Sequence, residues 1–266
     1  MEELPPVLAP TPERLPPPAM SLAARLLNVF AIPGEVFEGV KTSRFAVGNW
    51  LVPMFLSGAV LALTGILLAL QPAFQKQMHE RMDQQAKALQ QEVKAGKAKQ
   101  AEVDRTMASI QAYVAPTVLP VLLGAMAGAI GAVRVVWWAL ALWLLGRIFL
   151  KARLDFMKTL EVAGLGVMIA VLGDAVVLLL MVNLPGLFAS PGLAQSVAGL
   201  DVLHKSPVLL AVANVFSLWL IGVLAVGLAK LARVPLLRAA WFVLAFWLLQ
   251  ASVMVLLGGA LSQLAL

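Results

Sequence analysis

PVLLGAMAGAIGAVRVVWWALALWLLGRIFLKARLDFMKTLEVAGLGVMIAVLGDAVVLLLMVNLP, residues 120–185, decides the reading of this chain. Two long apolar segments meet there around a basic hinge, with Arg147, Lys151, Arg153 and Lys158 falling between Trp143 and Val162. Crossing a bilayer takes about 20 apolar residues in a helix. The segments on either side of the hinge satisfy that length, so the stretch reads as a helical hairpin in lipid. Each arm carries one charge where lipid tolerates it least, Arg134 in the first and Asp174 in the second.

Composition extends this reading to the whole molecule. Of 266 residues, 61% are hydrophobic and 13% charged, against about 45–50% and about a quarter in soluble domains. The mean hydropathy is +0.90. A net charge of +6 belongs here to particular loops rather than to one water-facing surface with stacking aromatics, so nucleic acid is not expected as a partner. There is no cysteine, which excludes disulfides, thiolate chemistry and Cys-ligated metal.

Working outward, the pattern predicts an all-α polytopic bundle of five membrane spans. The first is placed at residues 47–70, uncharged, with Trp50 at its start and Pro53 in its first turn, where a missing N–H costs little. Residues 116–150 are too long for one plain span. The crossing part is placed at 128–149, and the Pro116, Pro120, Gly124 and Gly128 region before it is read as a tilt, a kink or an extension of the preceding helix. The third, fourth and fifth spans are placed at 160–184, 208–228 and 239–261.

Three further segments complete the layout. Residues 1–20 hold seven prolines between Pro5 and Pro18, are not expected to be a signal peptide, and read as a disordered tail. Residues 21–46 form two short amphipathic pieces separated at Pro33-Gly34. They either lie at the headgroup level with Leu26, Phe30 and Phe37 inward or pack on the ends of the bundle. Residues 71–115 read as a water-exposed helical hairpin turning at Gly96. Its stripes Phe74, Met78, Met82, Leu89, Val93 and Val103, Met107, Ile110, Val114 face each other or dock on the bundle. Residues 47–266 as a whole make up the membrane domain.

Among the short connections, Lys and Arg concentrate before the first span and in the second-to-third and fourth-to-fifth loops; the long 71–115 hairpin is the exception, its seven Lys and Arg offset by five acids. The positive-inside rule then predicts a cytoplasmic N-terminus, a far-side C-terminus and a cytoplasmic (inner) membrane location.

The candidate sites are few. Arg134 lies thirteen residues before Arg147, and Asp174 thirteen after Glu161 (147 − 134 and 174 − 161). If Arg147 and Glu161 mark one boundary, both charges sit about 20 Å deep on antiparallel neighbours. Three readings remain open: a structural ion pair, a proton or ion relay through Asp174, or Arg134 reaching the far interface while Asp174 is neutral or bonded to Asn214 or Ser217. Asn183, Asn214, Ser217, Gln250 and Ser252 are read as interhelical hydrogen-bonding groups. Gly124 with Gly128, and more loosely Gly222 with Gly227, read as close-packing positions. The two histidines, His79 and His204, are expected in loops and have no metal-ligand spacing. No HExxH, GxSxG or phosphate-loop motif occurs. No catalytic residue, cofactor or metal is therefore predicted.

Two stretches resemble a known family. Residues 26–41, Leu-Leu-Asn-Val-Phe-Ala-Ile-Pro-Gly-Glu-Val-Phe-Glu-Gly-Val-Lys, followed by Trp50-Leu51-Val52-Pro53, resemble the opening of bacterial Yip1-domain proteins. The motif positions are Asn28, Phe30, Pro33, Glu35, Phe37, Trp50 and Pro53. Residues 214–228, with Phe216, Trp219, Gly222 and Gly227, are similar to that family's penultimate span. The resemblance implies five helices, a cytoplasmic N-terminus and a non-enzymatic scaffold or adaptor role in membrane organisation, with a membrane-protein partner or a second copy of the chain. The acidic Asp-Leu-Tyr-Gly-Pro signature of the eukaryotic relatives is absent, so GTPase binding is not implied. The rival expectation is a transporter or channel component using the Asp174/Arg134 site.

Overall fold

A computed structural model of the chain describes residues 20–183 and 215–264, and helix is the only regular structure among them. Ser21 caps α1 (Leu22–Asn28), its hydroxyl accepting from the Ala24 amide at 3.2 Å. Pro33 then occupies the first position of α2 (Pro33–Thr42), where its fixed φ suits a helix start. Of the two arrangements open to residues 21–46, the structure has the packed one. Val29, Val36, Phe37 and Val40 are fully buried in the main core, while Leu27 and Ile32 face outward. Arg25, off the apolar stripe in sequence, is buried too.

The first span is α3 (Gly48–Leu70). Pro53 lies one turn deeper than expected, inside the helix. Its missing N–H leaves the Asn49 carbonyl without its usual helical donor. The polar insert folds as α4 (Pro72–Lys94) and α5 (Gln100–Val114), joined through Gly96 at φ +72°, a left-handed turn that glycine adopts freely. The two helices touch each other, and at their base Phe74, Met78 and Val114 dock on the bundle against Leu68, Leu119 and Met181. His79, expected in a loop, stands on α4, its ring nitrogen Nδ1 2.7 Å from the Gln75 carbonyl. The propensity of the surrounding Gln, Lys and Ala residues carries helix through it.

The second span is α6 (Leu119–Leu144), continued by a π-helical turn over Leu145–Phe149. The helix therefore begins nine residues before the expected 128. The small residues on either side explain why: they mark a contact, not a hinge. A Cβ on Gly131 would stand 2.6 Å from the Ser57 carbonyl, and one on Gly65 2.6 Å from the Leu123 carbonyl. The α3 and α6 backbones therefore run in direct contact along their length. Thirty-one residues span roughly 46 Å, longer than a hydrocarbon core of about 30 Å, which tilt accommodates.

A five-residue link, in which Lys151 takes φ +51°, leads to Asp155, whose carboxylate accepts from the Met157 amide at 3.1 Å and starts α7 (Phe156–Asn183). The fourth described span is α8 (Val215–Ala232) and the last is α9 (Leu236–Leu264). The expected fourth span began at 208; residues 208–214 lie outside the described ones, as do the 1–19 tail and Leu184. Helix α7 is flanked by α3, α6 and α8, and α9 packs chiefly on α8. Phe55, Leu63, Ile130, Val133, Trp241 and Leu249 point outward around the belt. An outer surface this apolar is suited to lipid rather than water. Lys41, Lys158 and Lys230 gather at one end of the bundle, called here the basic end.

Candidate functional site

Antiparallel packing of α6 and α7 brings Arg134 and Asp174 level, roughly 20 Å along their helices from the basic end. Arg134 Nη2 donates to Asp174 Oδ2 at 2.5 Å and to Ser57 Oγ at 2.6 Å, so α3, α6 and α7 are tied at one depth. A single charge at a helix centre costs about 2.5–3.5 kcal/mol on insertion scales, and pairing offsets much of that. Both side chains are about a fifth exposed, at 21% and 22%. The exposure comes from a cleft of about 430 Å³ bounded by α6, α7, α8 and α9. Trp138, Phe216 and Trp247 form its apolar walls, while Ser217 and Gln250 add polar atoms. Gln250 also accepts from Trp137 Nε1 at 2.9 Å, joining α9 to α6.

The residue that sequence reasoning used only as a boundary marker, Glu161, is fully buried. Its carboxylate accepts from Asn49 Nδ2 at 2.5 Å, from the Ala46 amide at 3.2 Å and from Lys158 Nζ at 2.7 Å. Lys158 also donates to the Ser43 carbonyl at 2.9 Å. One ion pair thus fastens the link between α2 and α3 to the first turns of α7. Gly164, one turn further on, is what allows the approach: a Cβ there would stand 2.6 Å from the Asn49 carbonyl, the one released by Pro53. The i, i+3 spacing of Lys158 and Glu161 was a readable signal of a local pair. Asn49, 112 residues away, was not. Asn49 Oδ1 and Trp50 Nε1 are buried with no hydrogen-bond partner among the described residues.

The two stretches that carry the family resemblance meet in space. Phe30 packs edge-on against Trp219, with ring centroids 5.9 Å apart, and Trp219 stacks on Phe216. Phe37 covers Gly227, where a Cβ would come within 3.3 Å of its ring. Glu38 accepts from Lys41 at 2.9 Å and lies 3.4 Å from Lys230 on α8. The Lys41 hydrogen bond holds the Glu38 carboxyl below the ordinary carboxylate range; partial desolvation opposes this and Lys230 reinforces it. Pro33 starts α2 and Glu35 sits in its first turn, favourably placed at the helix N-terminus. The Asn28 carbonyl accepts from the Ile32 amide at 2.8 Å and closes α1.

Other predicted positions fall differently. Asn183 bonds its own helix, donating to the Leu179 carbonyl at 2.8 Å, and Ser252 does the same to Leu248. Neither of those bonds bridges helices, because a polar side chain on a lipid-facing surface returns to the nearest backbone carbonyl. Gly222 has open space around it, so its place in a packing motif is not realised, whereas Gly124, Gly128 and Gly227 do sit at close contacts. Asn214 lies outside the described residues.

Five helices long and apolar enough to cross a membrane define the class: this is a multi-pass, all-α integral membrane protein. Comparison with protein-family models, with curated proteins and with solved structures gave no match. The resemblance to Yip1-domain proteins therefore stands on the motif residues alone. No group of three or more His, Cys, Asp or Glu suited to a metal occurs among the described residues.

Proposed function

We propose that the chain is a Yip1-type, non-enzymatic scaffold or adaptor of the cytoplasmic membrane, with its N-terminus in the cytoplasm and its C-terminus on the far side. The observation that carries this is the use of the deep charges. Arg134 donates to both Asp174 and Ser57, and Glu161 is enclosed by three donors. Groups committed in this way stiffen a bundle. What remains to meet a partner is the mostly exposed α4–α5 hairpin and the basic end. The partner is a second membrane protein or another copy of this chain.

One observation favours a second reading, a transporter or channel component: the 430 Å³ cleft reaches the Arg134–Asp174 pair. The cysteine-free sequence makes the two separable. A single cysteine at Val177 on the cleft wall is treated with a membrane-impermeant thiol reagent in sealed vesicles, beside cysteines at Lys97 and Arg153. The scaffold reading expects no labelling at 177, with 97 and 153 labelled from opposite sides. Rapid labelling at 177 overturns it in favour of a water-filled path. Crosslinking from Lys87 in native membranes then identifies the partner, and lipid adducts alone would leave the adaptor role without support.

A further inference from the structure

Cations at the basic end converge on one cleft of about 350 Å³, set between α2, α8 and the turn into α9. Lys41, Lys230 and Arg233 supply its charge, and Val226, Val234 and Leu236 its apolar wall. Glu38 bonds Lys41 on one oxygen and faces Lys230 with the other, which fixes both ammonium groups on one side. Three cations against that one carboxylate leave an excess of about two positive charges (3 − 1), enough to attract an anion at a membrane surface.

Arg233 adds an independent observation. It ends α8 at φ +56°, in the left-handed region, and the Val234 amide wraps back to the Ala229 carbonyl at 3.2 Å. Glycine is the usual occupant of that position, because a Cβ is strained there. The chain instead holds a guanidinium in the strained conformation, at the mouth of the cleft. Strain of this kind marks places where a side chain is needed for something other than stability.

We propose that this cleft binds the phosphodiester of an anionic phospholipid headgroup. Arg233 offers a planar fork of donors and the two lysines flank it as point charges. A lipid is favoured over a soluble phosphate because the cations stand beside outward-facing apolar side chains. Leu236 and Leu237 are 52% and 70% exposed just past Arg233, where acyl chains would lie. The inference rests only on the bundle being embedded in lipid, so it stands apart from the scaffold reading.

The test uses the purified full chain in neutral detergent, with lipid retention read by native mass spectrometry. Phosphatidylglycerol is compared with phosphatidylcholine, and each is challenged with millimolar inorganic phosphate. Phosphatidylglycerol is expected to be retained in preference. Arg233→Gly is expected to lower that retention about fivefold, the effect of one cation at a membrane surface. Its thermal stability without lipid should equal or exceed that of the unaltered chain, because the strain is relieved. Arg233→Lys should retain most of the binding. Equal retention of the two lipids, or retention unchanged in Arg233→Gly, overturns the proposal. Complete displacement by inorganic phosphate also overturns it and assigns the cleft to a free anion.

Discussion

Replacing Glu161 tests whether the buried carboxylate holds the amphipathic segment to the bundle. Glu161→Ala strips an acceptor from the Asn49 amide, the Ala46 N–H and the Lys158 ammonium. Each buried donor left without a partner costs about 1–3 kcal/mol. Lys158 keeps the Ser43 carbonyl and stands 16% exposed, so it contributes at the low end. With the cavity left by the shortened side chain, the loss comes to about 3–6 kcal/mol. At about 2–4 °C per kcal/mol for a chain of this size, the melting temperature should fall by roughly 6–24 °C. Glu161→Gln keeps one acceptor oxygen but loses the charge, so it should fall about half as far. Lys158→Met leaves the carboxylate buried without its counter-ion, which is severe in its own right. The double variant Glu161→Gln/Lys158→Met should recover part of the loss, with a coupling of at least about 1.5 kcal/mol. Unfolding in detergent, followed by tryptophan fluorescence, gives all four values. Glu161→Ala within about 1 kcal/mol of the unaltered chain, or strict additivity in the cycle, refutes the staple.

Gly164→Ala should destabilise by about 1–3 kcal/mol through overpacking against Asn49 and Trp50, whereas Gly222→Ala, with open space, should be neutral or slightly stabilising; a matched pair of thermal melts decides it. Arg134→Asp/Asp174→Arg should accumulate in membranes better than either single neutralisation, and an immunoblot showing no recovery would count against the pair as a structural element. Glu38 titrates below its ordinary 4.5 when folded. Its contribution is therefore complete above pH 4.5 and is lost as the pH falls through the lowered folded-state value. The melting-temperature gap between the unaltered chain and Glu38→Gln should hold constant down to that pH and shrink below it.

Spans were legible because length and hydropathy are local properties: α3 begins within one residue of the expected start, and α7 and α9 within four. How residues 116–127 join α6 stays open in the sequence because Gly124 and Gly128 have two readings in one dimension, as a break or as a contact. Only the presence of Gly58 and Gly65 on the facing helix decides between them. Counting from the basic hinge puts Arg134 and Asp174 at one depth, since helical rise is constant and both count from the same end. The cleft beside them needs four helices in their final places and leaves no mark in any one of them. In sequence Glu161 reads only as a marker of the membrane boundary, beside Arg147. Its enclosure depends on the Asn49 side chain, the Ala46 amide and the Ser43 carbonyl, none of which carries a charge to signal it.

The ion pair between Arg134 and Asp174 also constrains how the protein is made. The acid is synthesised forty residues after the arginine. At roughly 5–20 residues per second, the second span waits about 2–8 s before its counter-charge leaves the ribosome. Through that interval Ser57, already translated, is the only one of its two bonded partners available to the guanidinium. The insertion machinery must therefore shelter a half-built hairpin, and a ribosome stalled between the two positions leaves an unpaired cation for quality-control proteases to find.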